Sequence, residues 1–365
     1  MNIIVRTDAS SNIGLGHLYR CLTLAEKLQE SENRVSFICR ELPGNQNDFI
    51  EKKGFSVYRL PCYADLVNHT GQNIWHQEWR CADWEDDAKE TVTVLKEEQE
   101  IDWIISDHYG IDERWELKVR PYTKRIMVID DLANRPHNCD LLLDQNLYDD
   151  MNTRYDALVP HQCRKLIGPQ YTLLRSEFIE VRKNLRKRDG EVRRILIFFG
   201  GSDPTNDTEK ALEAIRLIHL NTITIDVIVG NSNVYKEKIE QICSDMQDVS
   251  YHCDVDNMAE FMAGADLSIG SGGTSTWERC FLGLPTIAMI IADNQYEMMN
   301  AVVAAGAAWN LGWSYDVTAS RIADAVHDAL RSPHKLKKMS DKAIVLVGGK
   351  SFRGVEAVTQ LMRDL

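Results

Sequence analysis

Short apolar runs alternate with helix-period segments along the chain, and the alternation stops once and then begins again. The run Asn2–Arg6 leads through a loop into a helical pattern opened by Gly14-Leu15-Gly16, with Leu18, Cys21, Leu22, Ala25 and Leu28 at helical spacing. Runs at Arg34–Cys39, Phe55–Leu60, Trp103–Ser106, Arg125–Ile129 and Asp140–Leu143 continue the series. A long, increasingly basic helical segment, Leu173–Arg188, ends at Asp189-Gly190, a turn signal. Strand-like runs then resume at Arg194–Phe199, Thr222–Val229, Val249–His252, Leu267–Ile269 and Pro285–Ile291, with helices between them. Such alternation builds βαβ units and parallel sheets. The restart predicts an α/β protein of two doubly wound, Rossmann-like domains, residues 1–188 and 189–365, facing a cleft. Ligands are expected at the carboxyl ends of the strands. Only Cys62–Trp84, with Trp75 and Trp79, lacks a clean period and reads as an insertion over a site or an interface.

Composition narrows the classes. A length of 365 residues suits two domains of roughly 150 residues each. The hydrophobic fraction of 44% and charged fraction of 27% are those of a globular chain. With 42 Lys+Arg against 55 Asp+Glu the net charge is −13, which argues against a nucleic-acid partner. The basic run Arg182–Arg188 reads as a solvated helix face. The 9 cysteines are scattered and never spaced C-x-x-C, the pattern of free thiols in a reducing compartment. The opening apolar run is too short for a signal peptide, and no stretch approaches the roughly 20 apolar residues that cross a bilayer. The expected setting is the cytoplasm, with no membrane partner.

Two glycine-rich strand-to-helix loops carry the chemistry. Gly14-Leu15-Gly16-His17-Leu18-Tyr19-Arg20 lacks the third glycine of a dinucleotide fingerprint and puts a histidine in the first turn of a helix. There the dipole disfavours imidazolium, which suits a general base near neutral pH; the plain alternative is a capping residue. Arg20 lies one turn further on the same face. Gly270-Ser271-Gly272-Gly273-Thr274-Ser275-Thr276-Trp277-Glu278 is a loop of the kind that cradles phosphate through backbone N–H groups. Glu278, one turn on, is within reach of a ribose diol. Here the alternative is a tight turn with an ordinary N-cap. Gly200-Gly201-Ser202 is a similar loop. Ser106-Asp107-His108-Tyr109-Gly110 and Asp130-Asp131 end successive strands, and each taken alone reads as loop chemistry. Gly349-Lys350-Ser351 fails as a P-loop because Ile344 occupies the first glycine position. Asp254 and Asp256 read as capping residues, so no metal and no cofactor is expected.

Several segments resemble the UDP-sugar hydrolases of the pseudaminic acid pathway, the PseG family: Arg6–Ala25, then SDHYGID, DDLANRPHNCDLLLDQN, LIGPQYTLLRSEF and FFGGSDPTN. The block from Gly270 to Ala301 is also similar to the nucleotide-binding half of MurG-type glycosyltransferases. The resemblance implies a GT-B fold and hydrolysis of UDP-2,4-diacetamido-2,4,6-trideoxy-β-L-altropyranose to free sugar and UDP. It implies catalytic roles for His17, Tyr109 and Asn294. Substrate binding is expected from Asp8, Gly14, Gly16, Arg20 and Asp131 in the first half, on their places in the first loop, in the helix after it and at a strand end. In the second half it falls to Gly200, Gly201, Ser202, Ser271, Gly272, Thr274, Glu278 and Gln295. The expected partner is a small-molecule UDP-sugar met by a monomer or weak homo-oligomer. A glycosyltransferase and a non-catalytic UDP-sugar-binding module remain the alternatives.

Overall fold

A computed structural model describes residues 1–10, 13–62, 83–218 and 222–365. Trp75 and Trp79 lie outside these residues. The chain forms two α/β units, Met1–Leu173 with Arg353–Leu365, and Leu174–Phe352.

The first unit holds seven parallel strands: β1 (Asn2–Thr7), β2 (Arg34–Arg40), β3 (Ser56–Leu60), β4 (Ile101–Asp107), β5 (Thr123–Ile129), β6 (Leu141–Asp144) and β7 (Arg164–Ile167). Their order is β3-β2-β1-β4-β5-β6-β7. The order reverses between β1 and β4, where Thr7 pairs with Asp107. Both faces of the sheet are covered, which is why the strands are apolar almost throughout. Ile3, Val5 and Ile105 pack beneath Leu18, Leu22 and Ala25 of helix Gly16–Gln29. Ile4, Ile104 and Val128 pack on the other face with Trp115.

The second unit repeats the plan with six parallel strands: β8 (Arg194–Phe198), β9 (Thr224–Val229), β10 (Val249–Cys253), β11 (Leu267–Ser271), β12 (Thr286–Ile290) and β13 (Trp309–Trp313). Their order is β10-β9-β8-β11-β12-β13, reversing between β8 and β11. The expectation of two doubly wound units is therefore met, and each glycine-rich loop follows a strand at a reversal point. Open parallel sheets bind ligands at that crevice.

The division of the chain differs from the sequence boundary at 188/189 in two respects. Helix Ser176–Lys183 is shorter than the expected segment, and the residues around it belong to the second unit. Phe178 is fully buried there, and Arg188 donates to the carbonyls of Met262, Ala265, Leu282 and Gly283. The run that reads as a solvated basic face thus includes an arginine spent on buried carbonyls. At the other end, helix Gly354–Asp364 packs Val355, Val358 and Met362 into the first unit's core. Among the described residues no helix is long and apolar enough to cross a membrane.

Candidate functional site

The first loop is shaped by its glycine. Gly14 takes φ +81°, and its N–H donates to Ser10 O at 3.0 Å, closing a tight turn. Helix Gly16–Gln29 starts at once, placing His17 in its first turn beside the end of β4. His17 Nδ1 lies 2.5 Å from Asp107 Oδ1. Arg20 grips the same carboxylate with two bonds of 2.6 Å, from Nε to Oδ2 and from Nη2 to Oδ1. Its Nη1 reaches Asp131 Oδ2 at 3.2 Å. Tyr109 stands edge-on to the His17 ring, centroids 4.7 Å apart, and donates its hydroxyl to Asp131 Oδ1 at 2.6 Å. Asn146 Nδ2 also donates to Asp131, at 3.3 Å.

This geometry favours one tautomer. Burial alone would raise the Asp107 pKa, but Arg20 and His17 outweigh it and hold the carboxyl well below the usual carboxylate range. The anionic oxygen at 2.5 Å favours a proton on Nδ1, since two lone pairs at that distance repel, while Arg20 Nη2, which can only donate, stands 2.9 Å from the same nitrogen and is itself turned to Asp107. The lone pair of the neutral ring is then on Nε2, the nitrogen facing away from Asp107. Imidazole oriented by a buried carboxylate is the arrangement of a general base whose conjugate acid is stabilised on formation.

Asp8 occupies a different place from the one its motif implies. It is 2% exposed, and its two oxygens take Arg6 at 2.6 and 2.8 Å, the Arg40 N–H at 2.7 Å and His108 Nε2 at 3.1 Å. It thus anchors the network beneath the loop, with Asp87 pairing both arginines.

Behind Asp131 lies a second buried acid. Burial, with the Asp131 charge, pushes the Asp144 pKa up to about 8. Its Oδ2 is 3.1 Å from the Tyr155 hydroxyl, which is 3.0 Å from Asp130 Oδ2. A protonated Asp144 can donate to Tyr155 while Tyr155 donates to Asp130. An unfolded aspartate releases its proton near pH 4, so the folded state binds the extra proton between about pH 4 and 8. Stability is expected to fall across that window, and Asp144→Asn to flatten the decline. Chemical denaturation at pH 5 and pH 8 measures the difference, and equal slopes in the two proteins would contradict it.

In the second unit Gly200 takes φ +95° after β8, and Asp203 accepts from the Asp207 and Thr208 N–H groups at 2.9 Å each, capping helix Asp207–Ile218. A Cβ on Gly230 would meet Gly201 O at 2.4 Å, so two loops run backbone to backbone there. Ser202 follows Gly201 in the same bend and is half-buried. Ser271 ends β11, and the Gly272 N–H donates to Met289 O at 2.9 Å. A Cβ on Gly272 would sit 2.5 Å from Met299 Cγ, so a larger residue there requires the Met299 side chain to move. Gln295, in the turn Asp293–Gln295 with Asn294, packs beside Gly272 and Gly273 and accepts the Ile291 N–H at 3.1 Å. Thr274 precedes helix Ser275–Phe281 without a side-chain cap. Glu278 Oε1 accepts from Arg175 Nη2 at 3.1 Å.

The structure thus groups His17, Arg20, Tyr109 and Asp131 in one unit, with Gly14 and Gly16 forming the turn above them. It groups Ser271, Gly272, Thr274 and Gln295 in the other. Sequence reasoning left Asp107 as loop chemistry, and it passed over Asn146, Arg175 and Arg279. A charged residue closing an apolar strand was the available signal for Asp107. Among the described residues no group of three or more His, Cys, Asp or Glu is placed to hold a metal ion.

Residues 195–357 match the glycosyltransferase family 28 C-terminal domain. The chain is 27% identical over 297 residues to the UDP-2,4-diacetamido-2,4,6-trideoxy-beta-L-altropyranose hydrolase of Campylobacter jejuni, covering 81% of this chain and 93% of that protein. It is 29% identical over 308 residues to an uncharacterized protein of Methanocaldococcus jannaschii, covering 81% of this chain but 57% of that relative's own length. Among solved structures, MurG of Acinetobacter baumannii matches 100% of this chain with 99% of its own, at a TM-score of 0.65 and 15% identity. That likeness makes the architecture the GT-B fold.

Proposed function

We propose that this protein hydrolyses a UDP-linked 2,4-diacetamido-2,4,6-trideoxy sugar to the free sugar and UDP, a step toward a nonulosonic acid. The observation that carries the reading is the 2.5 Å contact between His17 Nδ1 and Asp107, which leaves Nε2 as the proton acceptor. His17 takes a proton from water, the water oxygen bonds to the anomeric carbon, and the bond from that carbon to the diphosphate oxygen breaks. UDP leaves with the electron pair. Asp107 stabilises the imidazolium formed. UDP is a good leaving group, so no second carboxyl acting as general acid is required, unlike in ordinary glycosidases. The loops at Gly200 and Ser271 take the phosphates, Glu278 the ribose, and Tyr109, Asn294 and Gln295 the sugar. The substrate class rests on the Campylobacter relative. The protein acts in the cytoplasm as a monomer or weak homo-oligomer.

The family 28 match over residues 195–357 favours a second reading, transfer of the sugar to an acceptor. Mass spectrometry after incubation with UDP-diacetamido sugars alone separates the two. Free sugar and UDP are expected without any acceptor, and release that waits for an acceptor would establish transfer.

Stereochemistry gives a sharper test. A retaining enzyme places a carboxylate nucleophile about 5 Å from a second carboxyl group; an imidazole activating water calls for single displacement. The first product should have the anomeric configuration opposite to the substrate's. In ¹⁸O-labelled water the label should enter the sugar hydroxyl. Label in UDP would mean attack at phosphorus.

Glu278→Ala is expected to weaken UDP binding about tenfold or more, the scale of one hydrogen bond to a charged group. Calorimetry measures it, and an unchanged dissociation constant would remove Glu278 from the nucleotide site.

A further inference from the structure

Most buried arginines of this protein have an anion. Arg6 pairs with Asp8 and Asp87, Arg20 with Asp107 and Asp131, and Arg40 with Asp87 and Glu90. Arg188 has no ion pair among the described residues, but it spreads its N–H groups over main-chain carbonyls. Arg279 has no anion and reaches a single main-chain carbonyl. It is 1% exposed. Its Nη2 donates to Ser271 O at 2.5 Å and to Thr276 Oγ1 at 3.1 Å. Its Nε and Nη1 have no acceptor among the described residues, and no carboxylate there forms an ion pair with it. The carboxylate next to it in sequence, Glu278, is turned to Arg175.

Burial lowers the Arg279 pKa to about 10, which still leaves the guanidinium charged at neutral pH. An uncompensated buried charge is among the most costly features a core can carry. The guanidinium lies against the glycine-rich loop itself. A Cβ on Gly270 would come within 2.8 Å of Nη1 and 2.3 Å of Phe198 O, so Gly270 is the residue that lets the cation sit there. Ser271 O and Thr276 Oγ1 both hold Nη2, leaving the other two nitrogens without an acceptor among the described residues. The features converge on a site built around a positive charge whose counter-ion is not part of the protein.

We infer that Arg279 is the buried counter-charge for the diphosphate of a nucleotide ligand seated on the Ser271–Thr276 loop. It acts from beneath the loop and through it, as a positioning residue. This rests on the reading that the second unit binds UDP. In a low-dielectric setting the attraction needs no direct contact, because interior charges are screened far less than surface ones. The charge is unfavourable in the empty protein and favourable in the liganded one, so it converts ligand charge into affinity.

The test compares the wild type with Arg279→Met and Arg279→Lys. UDP affinity is read by calorimetry, uridine affinity by ligand-observed NMR, and the thermal midpoint with and without UDP. Arg279→Met should lose about tenfold or more in UDP affinity and keep its uridine affinity. Its ligand-free midpoint should match or exceed that of the wild type. Arg279→Lys, which keeps the charge, should retain most of the UDP affinity. Equal losses for UDP and uridine, or a lower ligand-free midpoint in both variants, would overturn the inference and leave Arg279 as a prop for the loop. A normal UDP affinity in Arg279→Met would overturn it alone. A wild type that binds neither ligand would overturn the proposed function as well.

Discussion

His17→Asn and His17→Leu are expected to lower turnover by about 10²- to 10⁴-fold, the usual scale for losing a general base, while UDP still binds. His17 belongs to the first unit and the Gly200 and Ser271 loops, the proposed phosphate site, to the second, so on the proposed mechanism the substitution removes the proton acceptor without touching those loops. The residue is 8% exposed, so a folding check is needed. Asparagine keeps a polar group within reach of Asp107; leucine does not. Near-native turnover by either variant, in steady-state assays with UDP affinity measured in parallel, would take His17 out of the mechanism.

Asp107→Asn is expected to cost both rate and stability. The rate falls because the amide carries no charge to stabilise the imidazolium and can present its NH₂ to Nδ1, favouring the wrong tautomer. A loss of about 10²-fold or more follows from the behaviour of other carboxylate-oriented imidazoles. Stability falls because Arg20, 4% exposed, keeps only Asp131 at 3.2 Å as a charged partner. Removing one partner from a buried pair typically costs about 3–5 kcal/mol. Turnover and thermal unfolding separate the two effects. A destabilised variant with normal turnover would make Asp107 an architectural residue only.

What could be read from the sequence follows physical locality. Both glycine-rich turns were legible because φ > 0 and close backbone approach leave a mark on one or two residues, as at Gly14 and at Gly270, where a Cβ would meet Phe198 O. Two parallel sheets were legible because their strands are apolar in unbroken runs. β7 (Arg164–Ile167), with two exposed basic residues, and β13 (Trp309–Trp313), half-buried throughout, carry no such mark and were passed over. The partners of the site were hidden for a related reason. His17 and Asp107 stand 90 positions apart, and no local pattern says which carboxylate closes on which ring. Asp8 looked like a ligand residue because it sits in the right loop. What decides its role is Arg40, whose N–H comes from a neighbouring strand. The boundary at 188/189 followed the Asp189-Gly190 turn, a local signal, whereas the actual division follows the burial of Phe178 and Arg188.

The return of helix Gly354–Asp364 to the first unit turns the second unit into an insertion within the first. The chain crosses between them twice, after Leu173 and after Phe352, and the Arg353 N–H ties the second crossing to Gln170 O at 3.0 Å. A ribosome releases the inserted unit whole while the enclosing one still lacks the helix whose Val355, Val358 and Met362 complete its core. Domains tend to fold as they emerge, first ones first; here that order is inverted, and the half bearing His17 completes its core last. A fragment ending at Leu173 would present the same bare apolar face permanently, and a binding assay on the isolated first half would have to supply the missing helix in trans.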